Sequence, residues 1–155
     1  AYLSGPQGKR DEITTDDIQL MIGNNRQFNV FNVIDAMTLG NTSVALQQLH
    51  VMMTQDREAQ FTAVGAFAWH FRRLYRARIM LEDRQPEQTI CTSAKVWANK
   101  EAFLKQVRRL SLPAIAPIFR ELMTIDQNSK TGGFSAKQGL ETLILKFTSA
   151  KSHMA

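Results

Sequence analysis

Cysteine is almost absent from this 155-residue sequence, which contains only Cys91. A single cysteine excludes an internal disulfide framework and is typical of a protein in a reducing cytosol. No apolar run approaches the ~20 residues needed to span a bilayer, and no signal peptide is visible. We therefore expect a cytoplasmic protein without a membrane partner. The first residue is Ala1, which indicates a processed chain or part of a longer protein.

The sequence also lacks the residue patterns of catalytic and cofactor sites. Its three histidines (His50, His70 and His153) have no metal-ligand spacing with one another or with Cys91. No G-x-S-x-G elbow occurs, and residues 5–9, GPQGK, lack the glycine spacing and the Ser/Thr of a phosphate loop. These absences predict no catalytic residue, no metal site and no bound cofactor.

The composition that is present is globular and mildly basic. Apolar residues make up 44% of the chain and charged residues 21%, which excludes a disordered class. The net charge of +5 permits a nucleic-acid or acidic-protein partner without requiring one.

Apolar residues recur at helical spacing, and no segment shows the alternation of a strand or an Asn-Gly hairpin signal. The sequence predicts an all-α, bundle-like fold with about six to eight helices. Residues 1–11 are typical of a linker or of the end of a preceding element. The expected helices cover approximately Thr14–Gly23, Asn29–Gly40, Thr42 or Ser43 to Met53, Glu58–Glu82, a short turn led by Pro86, Ser93–Leu110, Pro113–Asn128 and Ala136–Ser149. Two of them carry predicted buried stripes, formed by Val30, Phe31, Val33, Ile34 and Met37 and by Val44, Leu46, Leu49 and Met53.

Residues 69–78, WHFRRLYRAR, combine aromatic and basic side chains within the long fourth helix. At ~100° per residue, one side of this helix is predicted to be core, with Phe61, Val64, Phe67, Ala68, Phe71, Leu74, Tyr75, Ile79 and Leu81. The opposite side carries Trp69, Arg72, Arg73 and Arg76. Three interpretations of that side remain open: a solvated face with arginine stacked on tryptophan, a protein interface, and a phosphate-binding face.

Two further aromatic residues invite a functional interpretation. Trp97 precedes a basic helix, and a core anchor is favoured over a surface contact. Phe134 follows two glycines, with Lys130 just upstream. It could stack on a nucleic-acid base, although a contact that fastens the turn to the next helix is the commoner role.

The order of several segments resembles the delta subunit of bacterial DNA polymerase III, from about Ile13 to Phe147. The resemblance rests on ITTDDI, FNVFNVIDAMTLGNTSVALQQL, HFRRLYRAR, KVWANKEAFLKQVRRLS, ELMTIDQNSKTG and LETLIL. It implies a subunit of the clamp loader, which places the sliding clamp on primed DNA in the nucleoid-associated replisome. The parent subunit belongs to a polymerase holoenzyme, a nucleotidyltransferase, and is expected to have no catalytic activity or ATP site of its own.

The resemblance further implies that residues 1–23 end a helical lid domain and that residues 24–155 form a collar domain. The collar would join the delta prime and gamma/tau subunits. The sliding clamp would be contacted only by an N-terminal domain, and no segment of this sequence resembles that domain. A subunit interface is then expected at Trp69, Arg72, Arg73, Arg76 and Trp97, with nucleic acid near Lys130 and Phe134. The alternative is a free-standing DNA-binding module that uses Trp69 and the same three arginines.

Overall fold

Every secondary-structure element of the computed structural model is a helix, within the described residues 14–154. The side chains at positions 19, 20, 22–24 and 151–154 are not described, and the predicted linker at residues 1–11 lies outside the described range. Seven helices occur in this range, which confirms the all-α prediction: α1 (Thr15–Thr38), α2 (Thr42–Gln55), α3 (Ala59–Glu82), α4 (Glu87–Ser93), α5 (Lys100–Arg108), α6 (Leu112–Thr131) and α7 (Ala136–Met154).

Helix α3 is the central element of the fold because it packs against each of the other six helices. Phe67, Phe71 and Leu74 are fully buried on its inner side, as the helical spacing predicted. Burial of each such side chain contributes about 1.5–3 kcal/mol. Phe61 was predicted to share this side, but it is 80% exposed. That prediction is wrong because, in the first turn of α3, Ala59 rather than Phe61 lies on the buried side of the helix.

Helix α1 is one continuous helix rather than the two that the sequence suggested. Its start is confirmed: Thr14 and Asp17 form a capping box, with N–O distances of 3.0 and 3.1 Å. The predicted end at Gly23 and the predicted cap at Asn29 are wrong, because the helix passes through both positions. One internal glycine costs a helix only about 1 kcal/mol, which burial from Val30 onward readily offsets. Gly40, with φ of 75°, follows the end of the helix as expected.

The predicted stripe of α1 is buried at Val30, Val33, Ile34 and Met37, with Phe31 half-buried. In α2 the stripe is rotated from its predicted position. Leu49 is buried as expected, but Ala45 and Met52 are the other buried residues, while Leu46 and Met53 are half-buried and Val44 is exposed. Helix α2 packs against both α1 and α7, so two surfaces rather than one decide which of its residues are covered.

The single helix predicted over Ser93–Leu110 is wrong. Helix α4 ends at Ser93, and α5 begins only at Lys100. Between them, Lys95 and Asn99 have positive φ angles of 58° and 56°. An L-residue reaches this region at a cost of roughly 1–2 kcal/mol. Burial of Val96 between these two residues helps to offset that cost.

Helices α6 and α7 form an antiparallel hairpin. Ser111 caps α6, and Pro113 lies in its first turn as predicted. Gly132, with φ of 81°, ends the helix. Gly139 of α7 faces Ile125 of α6 so closely that an added Cβ would lie 2.6 Å from the Ile125 Cγ2 atom. This glycine therefore sets the close approach of the two helices.

Candidate subunit interface

Four residues of α3 lie on one side of the helix, as predicted: Trp69, Arg72, Arg73 and Arg76. Arg72 and Arg76 are exposed, Trp69 is 37% exposed, and Arg73 is half-buried. A small cleft of about 160 Å³ separates this side of α3 from α4, with Lys95 among its lining residues. The four side chains are therefore not equivalent, because Arg73 turns toward the neighbouring elements.

Arg73 joins three parts of the fold. Its Nε donates a hydrogen bond to the Ala94 carbonyl at 3.0 Å. Its guanidinium carbon lies 4.5 Å from the centre of the Trp69 ring and 5.3 Å from that of Phe103. Burial lowers the pKa of Arg73 from its ordinary value. These contacts hold Trp69 against α3 and fix the segment that follows α4, so Arg73 is not simply a solvated cation.

Trp97 lies in the segment from residue 94 to residue 99, whose first carbonyl accepts the Arg73 hydrogen bond. Its side chain is 72% exposed, whereas Val96 beside it is buried. The favoured prediction that Trp97 is a core anchor is therefore wrong. The left-handed conformations of Lys95 and Asn99 turn the chain so that valine, not tryptophan, enters the core. We call Trp69, Arg72, Arg73, Arg76 and Trp97 the Trp69 surface.

Lys130 and Phe134 lie at the turn between α6 and α7. The Lys130 Nζ is 2.8 Å from the Asp126 Oδ2, and the Phe134 side chain is 61% exposed. Phe134 therefore does not fasten the turn to the next helix, which was the favoured prediction. No hydrogen bond, ion pair or ring contact among the described side chains joins these two residues to the Trp69 surface.

A buried polar network lies behind Trp69. His70 and Gln106 are both buried, and the His70 Nε2 is 2.6 Å from the Gln106 Oε1. The Gln106 amide donates to the Phe31 carbonyl at 3.3 Å and to the Asp35 Oδ1 at 3.2 Å. This orientation leaves the Gln106 oxygen as the acceptor for an Nε2–H of neutral His70. Arg109 donates to the same Asp35 oxygen at 2.9 Å.

The environment of His70 favours the neutral ring. Burial is the main cause that lowers its pKa to about 4; the hydrogen bond with Gln106 opposes this effect, and the positive charge of Arg73 adds to it. A neutral, fully enclosed imidazole with an amide partner is a structural group that links α3 to α5 and α1. Among the side chains that are described within residues 14–154, no group of three from His, Cys, Asp or Glu is placed to hold a metal ion. Within the same range, no helix is both long and apolar enough to cross a membrane.

The sequence patterns did not reveal a groove between the first half of α6 and the second half of α7. Its volume is about 690 Å³, and Arg78, Arg108, Arg109 and Lys146 lie among its lining residues. The four cations come from three separate segments, and only the tertiary structure brings them to one groove. We call this feature the α6–α7 groove.

Comparison with known proteins places the chain in a family. Residues 27–147 match the family described as DNA polymerase III delta subunit, C-terminal domain. The DNA polymerase III subunit delta of Bacillus subtilis strain 168 is 23% identical over 140 residues, which span 90% of this chain and 40% of that protein.

The fold is also shared with a solved structure. The Bacillus subtilis DNA clamp loader delta protein superimposes with a TM-score of 0.70 at 22% identity, over 92% of this chain and 42% of that chain. The chain thus spans about two fifths of the length of these relatives. Because the family match covers most of the sequence, this chain belongs to the family formed by the C-terminal domain of the DNA polymerase III delta subunit.

Proposed function

We propose that this chain is a non-catalytic, collar-forming part of a clamp-loader delta subunit. It would act by assembling with the delta prime and gamma/tau subunits, which together load the sliding clamp on primed DNA in the bacterial cytoplasm. The observation that carries the proposal is the exposed Trp97, which lies in the segment that Arg73 fixes through its hydrogen bond to the Ala94 carbonyl. Tryptophan and arginine on a rigid support are the residue types that contribute most to protein interfaces.

The same proposal accounts for the first half of α1. Among its described side chains, burial begins only at Val30, while Ile18, Met21 and Phe28 remain exposed. Residues up to 23 would end a helical lid domain, and residues 24–155 would form the collar. The sliding clamp would be reached through an N-terminal domain of the parent subunit, and no catalytic step, nucleotide or cofactor is assigned to residues of this chain.

Primed DNA is a proposed neighbour of the turn between α6 and α7. An exposed aromatic ring at Phe134 can stack on a base, and Lys130 offers a cation nearby in sequence. The competing interpretation, a free-standing DNA-binding module on α3, is less well supported. Arg73 is engaged within the fold, which leaves only Arg72 and Arg76 as exposed arginines on that side.

Co-purification with tagged delta prime and gamma/tau subunits from the same source tests the proposal. We expect the chain to be retained, and we expect Trp97→Ala to weaken retention by about 30-fold in affinity if it is an interface hot spot. Phe61→Ala is the matched control, because it removes another exposed aromatic side chain from a different part of the surface. Failure of every subunit to retain the chain would contradict the assignment. Equal losses for the two variants would show that Trp97 is not the contact.

A further inference from the structure

The α6–α7 groove has an apolar floor. Leu110, Ile118 and Leu143 are buried beneath it, and Phe147 forms part of one wall. Pro117 on the α6 wall has no backbone N–H. At about 690 Å³ the groove is within the range of roughly 300–1,000 Å³ that accommodates sizeable ligands. Its floor therefore suits several aliphatic side chains better than a polar molecule.

The rim of the groove is basic. Four of the lining residues are cations (Arg78, Arg108, Arg109 and Lys146), whereas Glu121 is the one acid among them. Each cation has a carboxylate partner within the chain, but the partners Glu82, Glu87 and Asp35 are not lining residues. The pairs of Arg108 and Lys146 are at the exposed surface, where an ion pair contributes only about 0–1 kcal/mol. Carboxylates of a docked partner can therefore share or replace these pairs.

A peptide bound in the groove must also have hydrogen-bond partners for its own backbone N–H and C=O groups. The groove walls are helices, whose main-chain groups are already paired along most of their length. An extended peptide would bury its own N–H and C=O groups against apolar side chains without partners. A helix has its backbone hydrogen bonds internally and presents side chains at positions i, i+3 or i+4, and i+7 to a groove.

The groove and the Trp69 surface lie on different sides of the molecule. Arg78 follows Trp69 by nine residues in α3. At about 100° per residue, the two side chains leave the helix in roughly opposite directions. A partner in the groove would therefore leave the Trp69 surface free for another partner.

We propose that the α6–α7 groove binds an acidic amphipathic helix. Two or three of its aliphatic side chains would fill the floor, and its flanking carboxylates would pair with the basic rim. The proposed function supplies only the source of this helix, a neighbouring clamp-loader subunit. The chemistry of recognition follows from the groove itself.

Direct binding to the chain is measured first, with a synthetic probe. The probe is a peptide of about 18 residues, about 27 Å long as a helix, with leucines on one face and glutamates along both flanks. We expect saturable binding, and about tenfold weaker binding for a peptide with lysine in place of every glutamate. A peptide with serine in place of leucine should not bind. Equal binding of the glutamate and lysine peptides would overturn the proposed charge complementarity.

Two matched pairs of variants locate the binding site. Ala150 lines the groove and Ser149 does not, although both are exposed on α7. Ala150→Trp should therefore weaken binding of the glutamate peptide about tenfold, and Ser149→Trp less than about twofold. On α5, Arg108→Glu should weaken binding, while Lys105→Glu makes the same charge change outside the lining. Thermal unfolding of all four variants verifies that they are folded. Equal effects within either pair would place the peptide elsewhere and overturn the proposal.

Co-purification separates failure of this inference from failure of the proposed function. If Ala150→Trp reduces retention of one neighbouring subunit while Ser149→Trp does not, the groove is where that neighbour binds. If all neighbours are retained equally by both variants, the helix-docking role in the complex is refuted and the proposed function stands. If no neighbour is retained but the glutamate peptide binds in the groove, the proposed function fails and the recognition chemistry stands.

Discussion

On one side of α3, Arg73 contacts the Trp69 ring and donates a hydrogen bond to the Ala94 carbonyl. On the other side, Arg78 lies at the rim of the α6–α7 groove and is paired with the exposed Glu82 at 3.4 Å. The first arginine organises the fold around an exposed tryptophan. The second leaves an apolar floor accessible beneath a basic rim. Two arginines of α3 thus belong to two surfaces of different chemistry, the Trp69 surface and the α6–α7 groove.

The buried network connects these two regions. His70 follows Trp69 in α3 and contacts Gln106, which donates to Asp35, and Asp35 accepts from Arg109 of the groove. A change at the centre of this network should therefore disturb both regions, whereas a change at either end should disturb one.

The largest expected effect is acid destabilisation through His70. Its pKa of about 4 in the folded chain is below the ordinary value of 6.5, so the unfolded chain binds more protons between these values. The stabilisation of the folded chain by neutral His70 is complete above pH 6.5 and is lost as the pH falls toward 4. The pKa difference corresponds to about 3 kcal/mol of unfolding free energy, measured by urea titration at several pH values.

Two histidine variants isolate this effect. His70→Gln keeps an amide that can contact Gln106 but does not titrate, so the steep decrease between pH 6.5 and 4 should disappear. His50→Gln removes an exposed histidine and should leave the decrease unchanged. A pH profile of His70→Gln that parallels the unsubstituted chain would show that another group causes the loss.

A smaller effect is expected where α6 and α7 cross. Gly139→Ala places a Cβ 2.6 Å from the Ile125 Cγ2, so the Ile125 side chain or the helices must shift, with a loss of about 1–3 kcal/mol. Gly65→Ala in α3 meets nothing within 4 Å and should stabilise the chain by about 0.5–1 kcal/mol. Urea unfolding measures both values. Adding Ile125→Ala to Gly139→Ala should restore part of the unfolding free energy that the clash removes. Strictly additive losses for the two substitutions would contradict the clash.

The smallest effect distinguishes two adjacent arginines. Arg73→Ala removes a hydrogen bond to Ala94 and the contact with Trp69, so a loss of about 1–2 kcal/mol is expected. Arg72→Ala changes an exposed side chain and should alter stability by less than about 0.5 kcal/mol. Urea unfolding compares them directly. Equal stability of the two variants would mean that Arg73 does not organise the Trp69 surface.

Local signals in the sequence predicted the elements with strong boundaries. The Thr14–Asp17 capping box, Gly40, Pro86, Pro113 and Gly132 all mark helix ends in the structure. Gly23 was misleading because a glycine near an exposed helix segment costs too little to end it. The break between α4 and α5 was missed because it depends on two left-handed residues that are not glycine, Lys95 and Asn99.

The sequence by itself determined the helical fold, the inward side of α3 and the grouping of Trp69 with three arginines, since these follow from helical periodicity along one segment. Only the tertiary structure decided that Arg73 is tied to Ala94, that Trp97 is exposed and Val96 buried, and that cations from α3, α5 and α7 surround one groove. The reason is physical. Periodicity specifies how side chains are arranged around one helix, whereas burial and pairing depend on which other segments cover each side.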